Sequence, residues 1–179
     1  NNKYHSSLFA LYIKDPENYT VTALETKDSL FITGKTTLSF WQSYNTEQLY
    51  DGSVVEISTD NGITWIDLGL RFTQNGYNTI ISGLYGSYLA DRYAFCGNSN
   101  GYIQSIADLS EFRNQYIKLR FLFASDNGGK GYGWNIDDIV LKSEAAAYNE
   151  ASLFDGSGNF IFSNTKQTLI LPGVLASAW

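Results

Sequence analysis

The chain has 179 residues, 44% of them hydrophobic, with 18 acidic and 12 basic side chains and a formal net charge of -6. This length suits one domain with a hydrophobic core of its own. The negative charge, without a cluster of lysine and arginine, excludes a nucleic-acid-binding protein.

The chain has one cysteine, Cys96, and one histidine, His5. An intrachain disulfide and a cysteine-rich zinc site are therefore excluded, and little histidine chemistry is left. The sequence contains no run of about 18 apolar residues, so no membrane span is predicted. The lack of any methionine and of a leader pattern indicates a segment of a longer polypeptide.

Aromatic residues make up 16% of the chain, which favours strands over helices. The first predicted strands are Leu38–Tyr44 and Val54–Ser58. Asp60-Asn61-Gly62 follows, and Asn-Gly supplies the positive φ angles of a tight turn. Val54–Ser58 is therefore predicted to pair antiparallel with Thr64–Leu68.

The segment from Phe72 to Asn100 is rich in glycine and tyrosine without steady alternation, and it predicts a long structured excursion across the domain. The clearest strand is Gln115–Phe123, where apolar and polar residues alternate. A further strand is predicted at Trp134–Leu141, and Asp126–Gly131 between them is predicted to be a flexible glycine-rich turn.

The predicted fold is an all-β antiparallel jelly-roll sandwich with minor helix over residues 1–144. Residues 145–179 are predicted to form a tail, either a terminal hairpin with strands at Phe160–Phe162 and Thr168–Leu171 or the start of a neighbouring module. The side chains predicted to share the core are Phe40, Val55, Ile57, Ile117, Leu119, Phe121, Phe123 and Ile136.

Three segments in a fixed order carry a resemblance: 38–47, 50–65 and Gly131-Tyr-Gly-Trp-Asn-Ile-Asp-Asp-Ile139. Together they resemble the MAM-like jelly-roll modules attached to secreted bacterial peptidases of the immune inhibitor A, bacillopeptidase F and fungalysin-like types. The similarity spans about residues 30–142. It implies a non-catalytic accessory module of a larger secreted or cell-surface protein, a hydrolase, with a glycan or protein surface as partner.

Asp137 and Asp138 are adjacent on a predicted strand, so they are expected to point to opposite faces, with Asp138 inward. The resemblance implies that Glu47, Asp51 and Asp138 join backbone carbonyls around one calcium ion, whose oxygen-rich coordination these groups suit. The alternative is that these carboxylates cap turns or pair with arginines, namely Arg92, Arg113 or Arg120.

Tyr77, Tyr85 and Tyr88 in the excursion are candidates for stacking on sugar rings, which would make the chain a carbohydrate-binding module. The alternative is that these side chains pack down on a sheet. Ser58–Trp65 also fits one copy of the Asp-box pattern of β-propeller hydrolases, and its expected role is to stabilise the local turn. A small glycosidase would need two carboxylates facing each other across a cleft, which no spacing supports.

Overall fold

The computed structural model describes residues 4–6 and 10–144, and of the remainder only the backbone of residues 153–154 and 160–161. The strands, in chain order, are β1 (Leu11–Lys14), β2 (Thr20–Glu25), β3 (Leu30–Phe31), β4 (Thr36–Asn45), β5 (Gly52–Ser58), β6 (Ile66–Asp67), β7 (Phe72–Gln74), β8 (Thr79–Ile80), β9 (Tyr93–Ala94), β10 (Ile103–Asp108), β11 (Tyr116–Ser125), β12 (Gly133–Ser143), β13 (Leu153–Phe154) and β14 (Phe160–Ile161). Two 3₁₀ turns lie at Gly69–Arg71 and Ser110–Phe112.

The strands form two antiparallel sheets. The first sheet has the order β1-β12-β4-β10-β7, and the second has the order β2-β11-β5-β6, with β3 paired to the start of β11. β8 pairs with β9, and β13 pairs with β14, in small two-stranded units. The predicted all-β antiparallel sandwich is confirmed.

The hydrophobic core lies between the two sheets. In β4, buried and half-exposed side chains alternate along the strand, as expected for a sheet with one face in the core. The predicted core residues all belong to one buried cluster: Phe40, Val55, Ile57, Ile117, Leu119, Phe121, Phe123 and Ile136. Trp134, which is fully buried, joins them, and the Phe40 and Phe121 rings meet edge to face at 5.3 Å. Such aromatic contacts add to the burial free energy of the core.

The predicted hairpin is present, with a shorter second strand than expected. Within it Glu56 pairs with Asp67 and Ile57 pairs with Ile66. Asn61 and Gly62 adopt φ angles of 61° and 92°, as the turn requires.

The predicted excursion between Phe72 and Asn100 covers the outer face of the second sheet. Val54 and Leu122 are paired neighbours on β5 and β11, and they point away from the main core. Residues of the excursion bury them in a second cluster, including Ile81, Leu89 and Cys96. The central strands of the second sheet are therefore covered on both faces.

Part of the predicted tail, residues 145–179, lies outside the described residues. β14 lies within the predicted strand Phe160–Phe162, whereas Thr168–Leu171 lies outside the described residues. In the part of the chain that the structure describes, no helix has the length and apolarity needed to cross a membrane.

Candidate metal centre

Two acidic residues meet where β5 begins and β11 ends. Asp51 directly precedes β5, and Asp126 directly follows β11. Because these strands are antiparallel, with Gly52 opposite Ala124, the start of one lies beside the end of the other. The amide nitrogen of Asp126 donates to Asp51 Oδ1 over 2.8 Å. Strand pairing thus places the two acidic residues side by side.

Glu47 joins them from the loop between β4 and β5. The amides of Tyr50 and Asp51 donate to the Glu47 carbonyl oxygen over 3.3 and 3.2 Å, which closes the loop into a tight turn. One carboxylate oxygen from each of Glu47, Asp51 and Asp126 lies within 4.8 Å of the others. Asp51 and Asp126 are buried, with 0% and 3% of their surface exposed.

A fourth carboxylate, that of Asp15, borders this group. Asp15 follows β1 and is 1% exposed, and its Oδ2 accepts a hydrogen bond from the Gly131 amide over 2.8 Å. The charge of Asp126 raises the pKa of Asp15, and the charge of Asp15 raises the pKa of Asp51 and of Glu47. The four carboxyl groups therefore interact electrostatically. We call Asp15, Glu47, Asp51 and Asp126 the acidic cluster.

The glycines of the 126–131 turn allow this close approach. Gly129 has a φ of 48°, and a Cβ atom there would overlap the Glu47 carboxylate. A Cβ atom at Gly131 would overlap the carbonyl oxygen of Asn45. Side chains at either position would push the turn away from the cluster. The glycines thus fit the turn against the acidic groups, where the sequence had predicted only flexibility.

Three oxygens of the acidic cluster are buried without a hydrogen bond in the described part of the chain. They are Asp15 Oδ1, Glu47 Oε2 and Asp51 Oδ2. Among the described residues, none of the four carboxylates forms an ion pair with lysine or arginine. A buried polar atom without a partner costs roughly 1–3 kcal/mol, and more when it is charged. The cluster is therefore stabilised either by retained protons or by a bound cation.

The pKa values in the cluster reflect this burial. The pKa of Asp51 is raised to about 8, chiefly by burial; the Asp126 amide opposes this shift and the charge of Asp15 adds to it. Burial raises the pKa of Asp15, and burial together with Asp126 and Asp15 raises the pKa of Glu47. Asp15, Glu47 and Asp51 thus hold protons more tightly than usual, and a bound cation would take the place of those protons.

The donor set suits a hard cation. It consists of carboxylate oxygens, and neither histidine nor a cysteine sulfur belongs to the group of three. Oxygen donors of this kind favour calcium, magnesium or manganese over zinc and copper. The orphaned buried oxygens and the raised pKa of Asp51 are what such an ion would relieve, so the residues present fit the group that the resemblance implied.

The structure brings together Glu47 and Asp51, two of the three predicted ligands, but it places Asp138 elsewhere. Asp138 Oδ2 lies 2.8 Å from His5 Nδ1, and the Ser6 hydroxyl donates to Asp138 Oδ1 over 2.5 Å. The expectation that Asp138 points inward is wrong: its side chain is 34% exposed.

The prediction that Asp137 and Asp138 point to opposite faces is also wrong. Asp137 Oδ2 accepts from the amide of His5 over 2.8 Å, so both carboxylates contact the same N-terminal segment. The cause is a bulge between Asp137 and Val140, where Asp138 adopts a φ of 48° and interrupts the alternation.

The arginines predicted as alternative partners lie elsewhere. Arg92 Nη2 and Arg120 Nε approach the carboxylate of Glu56 at 2.6 and 2.5 Å. In the described part of the chain, neither Glu47 nor Asp51 forms an ion pair with an arginine. Arg92 and Arg120 thus pair with Glu56, a different buried carboxylate.

The three predicted sugar-binding tyrosines differ in exposure. Tyr77 packs against Phe95 in the core, and its hydroxyl accepts from the Val55 amide over 2.8 Å and donates to the Val55 carbonyl over 3.1 Å. Tyr85 and Tyr88 are 63% and 48% exposed. Only the latter two present surface to a ligand.

Sequence reasoning missed Asp15 and Asp126. The signal that would have found Asp126 is its position directly after the strongest predicted strand, together with an antiparallel neighbour that begins after Asp51. No comparable signal marks Asp15, because its strand is short and lies at the margin of the first sheet.

No family model matches the chain, and no curated protein matches it.

Proposed function

We propose that this chain is a non-catalytic β-sandwich module of a larger secreted or cell-surface hydrolase, that it serves attachment, and that one calcium ion held by the acidic cluster stabilises it. The resemblance to MAM-like modules supports the accessory role and the location. The acidic cluster supports the cation.

One observation carries the proposal: the four carboxylates come from both sheets and have no basic partner among the described residues. Asp15 and Glu47 follow β1 and β4 of the first sheet, whereas Asp51 and Asp126 flank β5 and β11 of the second. An ion between them would link the two sheets at one end of the sandwich. Such a link holds structure together without taking part in a reaction.

Calcium fits better than magnesium. Calcium accepts about six to eight oxygen ligands in relaxed geometry, whereas magnesium requires a near-ideal octahedron and keeps several waters. Glu47, Asp51 and Asp126 offer up to six carboxylate oxygens to one ion, and two of these, Glu47 Oε2 and Asp51 Oδ2, are buried without other partners in the described chain. Loops that arrive from different strands supply such relaxed geometry more readily than a strict octahedron.

The test is thermal unfolding of the purified chain in EGTA and in calcium. Binding to the native state alone stabilises by about 2.7 kcal/mol when free calcium is 100 times its dissociation constant. For a domain of this size, each kcal/mol of stabilisation raises the melting temperature by roughly 2–4 °C. We expect the melting temperature to fall in EGTA and to recover with calcium, but to recover much less with magnesium.

Calorimetric titration of calcium into the EGTA-stripped, dialysed chain provides an independent readout. We expect one site per chain. Identical melting curves in EGTA and calcium, together with no heat of binding, would refute the cation.

The alternative function is a carbohydrate-binding module that uses the Tyr-rich excursion. The exposure of Tyr85 and Tyr88 supports it, and the packing of Tyr77 in the core weakens it. Retention on a polysaccharide that is lost in Tyr85→Ala, with an unchanged melting temperature, would favour this alternative.

A further inference from the structure

A polar cavity of about 630 Å³ lies on the outer face of the first sheet, away from the acidic cluster's carboxylates. Its floor is formed by the last residues of β4 and by Asn135 of β12. Its walls are the turn before β10, Tyr132, and the N-terminal residues Tyr4 and His5. The volume falls within the range of about 300–1,000 Å³ that small-molecule sites occupy.

Asn135 is the most informative residue of the floor. Its neighbours Trp134 and Ile136 are fully buried in the core, so Asn135 points to the opposite face. Asn135 is only 4% exposed, and it lines the cavity. A side-chain amide carries two donors and one acceptor oxygen. Asn135 therefore presents these groups to a ligand in the cavity.

Two further amides border the same space. Asn45 Oδ1 accepts from the Tyr132 amide over 3.3 Å, and Asn98 Oδ1 accepts from the Asn100 amide over 2.7 Å. Both bonds use the oxygen, so each NH₂ group remains to donate. Ser99 holds this turn to β4, because its hydroxyl accepts from the Tyr44 amide over 2.9 Å. The donors are thus fixed before a ligand arrives.

Aromatic side chains flank these amides. Tyr4 and Tyr132 are 43% and 42% exposed, and Tyr102 also lines the cavity. The N-terminal wall is anchored, since the His5 ring stacks on Trp41 with centroids 3.8 Å apart. Flat rings beside fixed amides match a ligand that has both apolar C–H faces and hydroxyl groups.

Most of the described residues that line the cavity are neutral amides and tyrosines. Among the described residues that line it, there is no aspartate, glutamate, lysine or arginine. Burial, followed by the charges of Asp137, Tyr132 and Asp138, raises the pKa of Tyr102 to about 12, so this phenol stays neutral. An anionic ligand would also meet the net charge of -6.

We propose that this cavity binds a neutral glycan, with Asn135 and the neighbouring amides donating to sugar hydroxyls and Tyr132 packing against a sugar face. The inference rests on the proposed attachment role and names its ligand. A peptide fits less well, because β4 and β12 are interior strands of the sheet and no free strand edge is available there. The described residues of the lining also include no leucine, isoleucine or valine to hold an apolar peptide side chain.

The test begins with affinity electrophoresis of the full chain in gels that contain soluble neutral polysaccharides: a β-glucan, a xylan, a mannan or a galactan. Polygalacturonate and heparin serve as anionic comparisons. We expect retardation by at least one neutral polymer and by neither anionic polymer. Migration unaffected by every neutral polymer, or retardation by the anionic ones alone, would overturn the proposal.

Variants then locate the site, using an oligosaccharide cut from the retarding polymer. Asn135→Ala and Tyr132→Ala are each expected to weaken binding at least about tenfold, as loss of a buried hydrogen bond or a stacked ring implies. Tyr116→Ala is the matched control, since its ring is 65% exposed and lies outside the cavity. Loss of binding in Tyr85→Ala, with Tyr132→Ala unaffected, would assign sugar to the excursion and refute the cavity.

A nuclear magnetic resonance titration of the unaltered chain covers the case in which a variant misfolds. The side-chain NH₂ signals of Asn45, Asn98 and Asn135 are expected to shift with the oligosaccharide. Shifts confined to other amides would contradict the proposal.

Measurements in calcium and in EGTA separate this inference from the proposed cation. Sugar binding together with an identical melting temperature in both buffers would refute the cation and retain the glycan site. A calcium-dependent melting temperature without sugar binding would do the reverse.

Discussion

Glu56 and Asp51 are buried carboxylates five residues apart, and the chain surrounds them very differently. Glu56 lies within β5 and is 3% exposed, and it receives one arginine at each carboxylate oxygen, Arg92 at 2.6 Å and Arg120 at 2.5 Å. Asp51 is fully buried just before the same strand, and its charged neighbours are acidic. One buried charge is neutralised by the chain, and the other is not.

The comparison shows why the acidic cluster points to an ion. Burial of an ionised carboxylate costs several kcal/mol unless a positive charge, hydrogen bonds or a proton compensates it. At Glu56 the compensation is itself well supported, since the Arg120 guanidinium lies 4.3 Å over the Trp65 ring. At Asp51 the chain supplies further carboxylates instead, so burial of this group is compensated by a retained proton or by a bound cation.

The largest expected effect on stability comes from removing Arg120, one of the two arginines that pair with Glu56. Arg120→Met keeps the aliphatic packing but leaves Glu56 with Arg92 alone. Breaking a buried pair in this way costs about 3–5 kcal/mol, and the remaining arginine places the expected loss near the lower value. Urea unfolding followed by fluorescence measures it.

The decrease in the free energy of unfolding caused by Arg120→Met should be equal in calcium and in EGTA, because Glu56 does not belong to the acidic cluster. Arg113→Met is the matched control, since Arg113 is exposed and should change stability little. A loss below about 1 kcal/mol in Arg120→Met would mean that Glu56 is not held by its arginines in the way described.

The second prediction concerns Asp51→Asn, whose effect on the free energy of unfolding is expected to change sign when calcium is added. Asp51→Asn keeps the oxygen that accepts from the Asp126 amide and removes the buried charge. In EGTA at about pH 8 this variant should be at least as stable as the original chain. In saturating calcium it should be less stable, by about the 2–3 kcal/mol that the ion supplies.

Asp138→Asn is the control for Asp51→Asn, because Asp138 contacts His5 and Ser6 rather than the acidic cluster. It should keep the full calcium response. A calcium response that survives in Asp51→Asn but disappears in Asp138→Asn would restore Asp138 as the ligand and overturn our assignment.

The two regions also differ in how far the sequence predicts them. The eight predicted core positions are all buried, because alternation within a strand is a local pattern that the sheets preserve. The acidic cluster depends on which strands become neighbours, and Asp51 and Asp126 are 75 positions apart. The resemblance implied Glu47 and Asp51, which lie in one loop, and the structure places their carboxylates close together. Asp138 was misplaced because a bulge cannot be read from alternation.

The third prediction concerns pH in the metal-free chain. The pKa of Asp51 is raised to about 8, so the folded state holds its proton more tightly than the unfolded state. Stability from this group is therefore full below the ordinary carboxyl pKa and is lost as the pH rises through about 8. In EGTA the melting temperature should fall between about pH 5 and pH 8, by several degrees.

Calcium should remove most of that fall, because the ion binds the deprotonated carboxylates. Asp51→Asn should also show a smaller fall in EGTA. An equal slope in the variant and the original chain would mean that another group titrates.

The smallest expected effect tests the turn that follows β5, where a carboxylate is satisfied by its own loop. Asp60 Oδ1 accepts from the Thr64 amide over 2.8 Å, Oδ2 accepts from the Thr64 hydroxyl over 2.6 Å, and the Ser58 hydroxyl donates to Oδ1 over 2.8 Å. The hydrogen bonds from Thr64, with that from Ser58, lower the pKa of Asp60 to about 2. Asp60→Asn should lower the melting temperature at neutral pH by a few degrees at most.

The sign for Asp60 is opposite to that for Asp51. A lowered pKa contributes stability above the ordinary carboxyl pKa, and this stability is lost as the pH falls towards about 2. The difference between Asp60→Asn and the original chain should therefore shrink on acidification and be independent of calcium. A difference that grows in acid, or that depends on calcium, would mean that the turn does not act through the ionised Asp60 carboxylate.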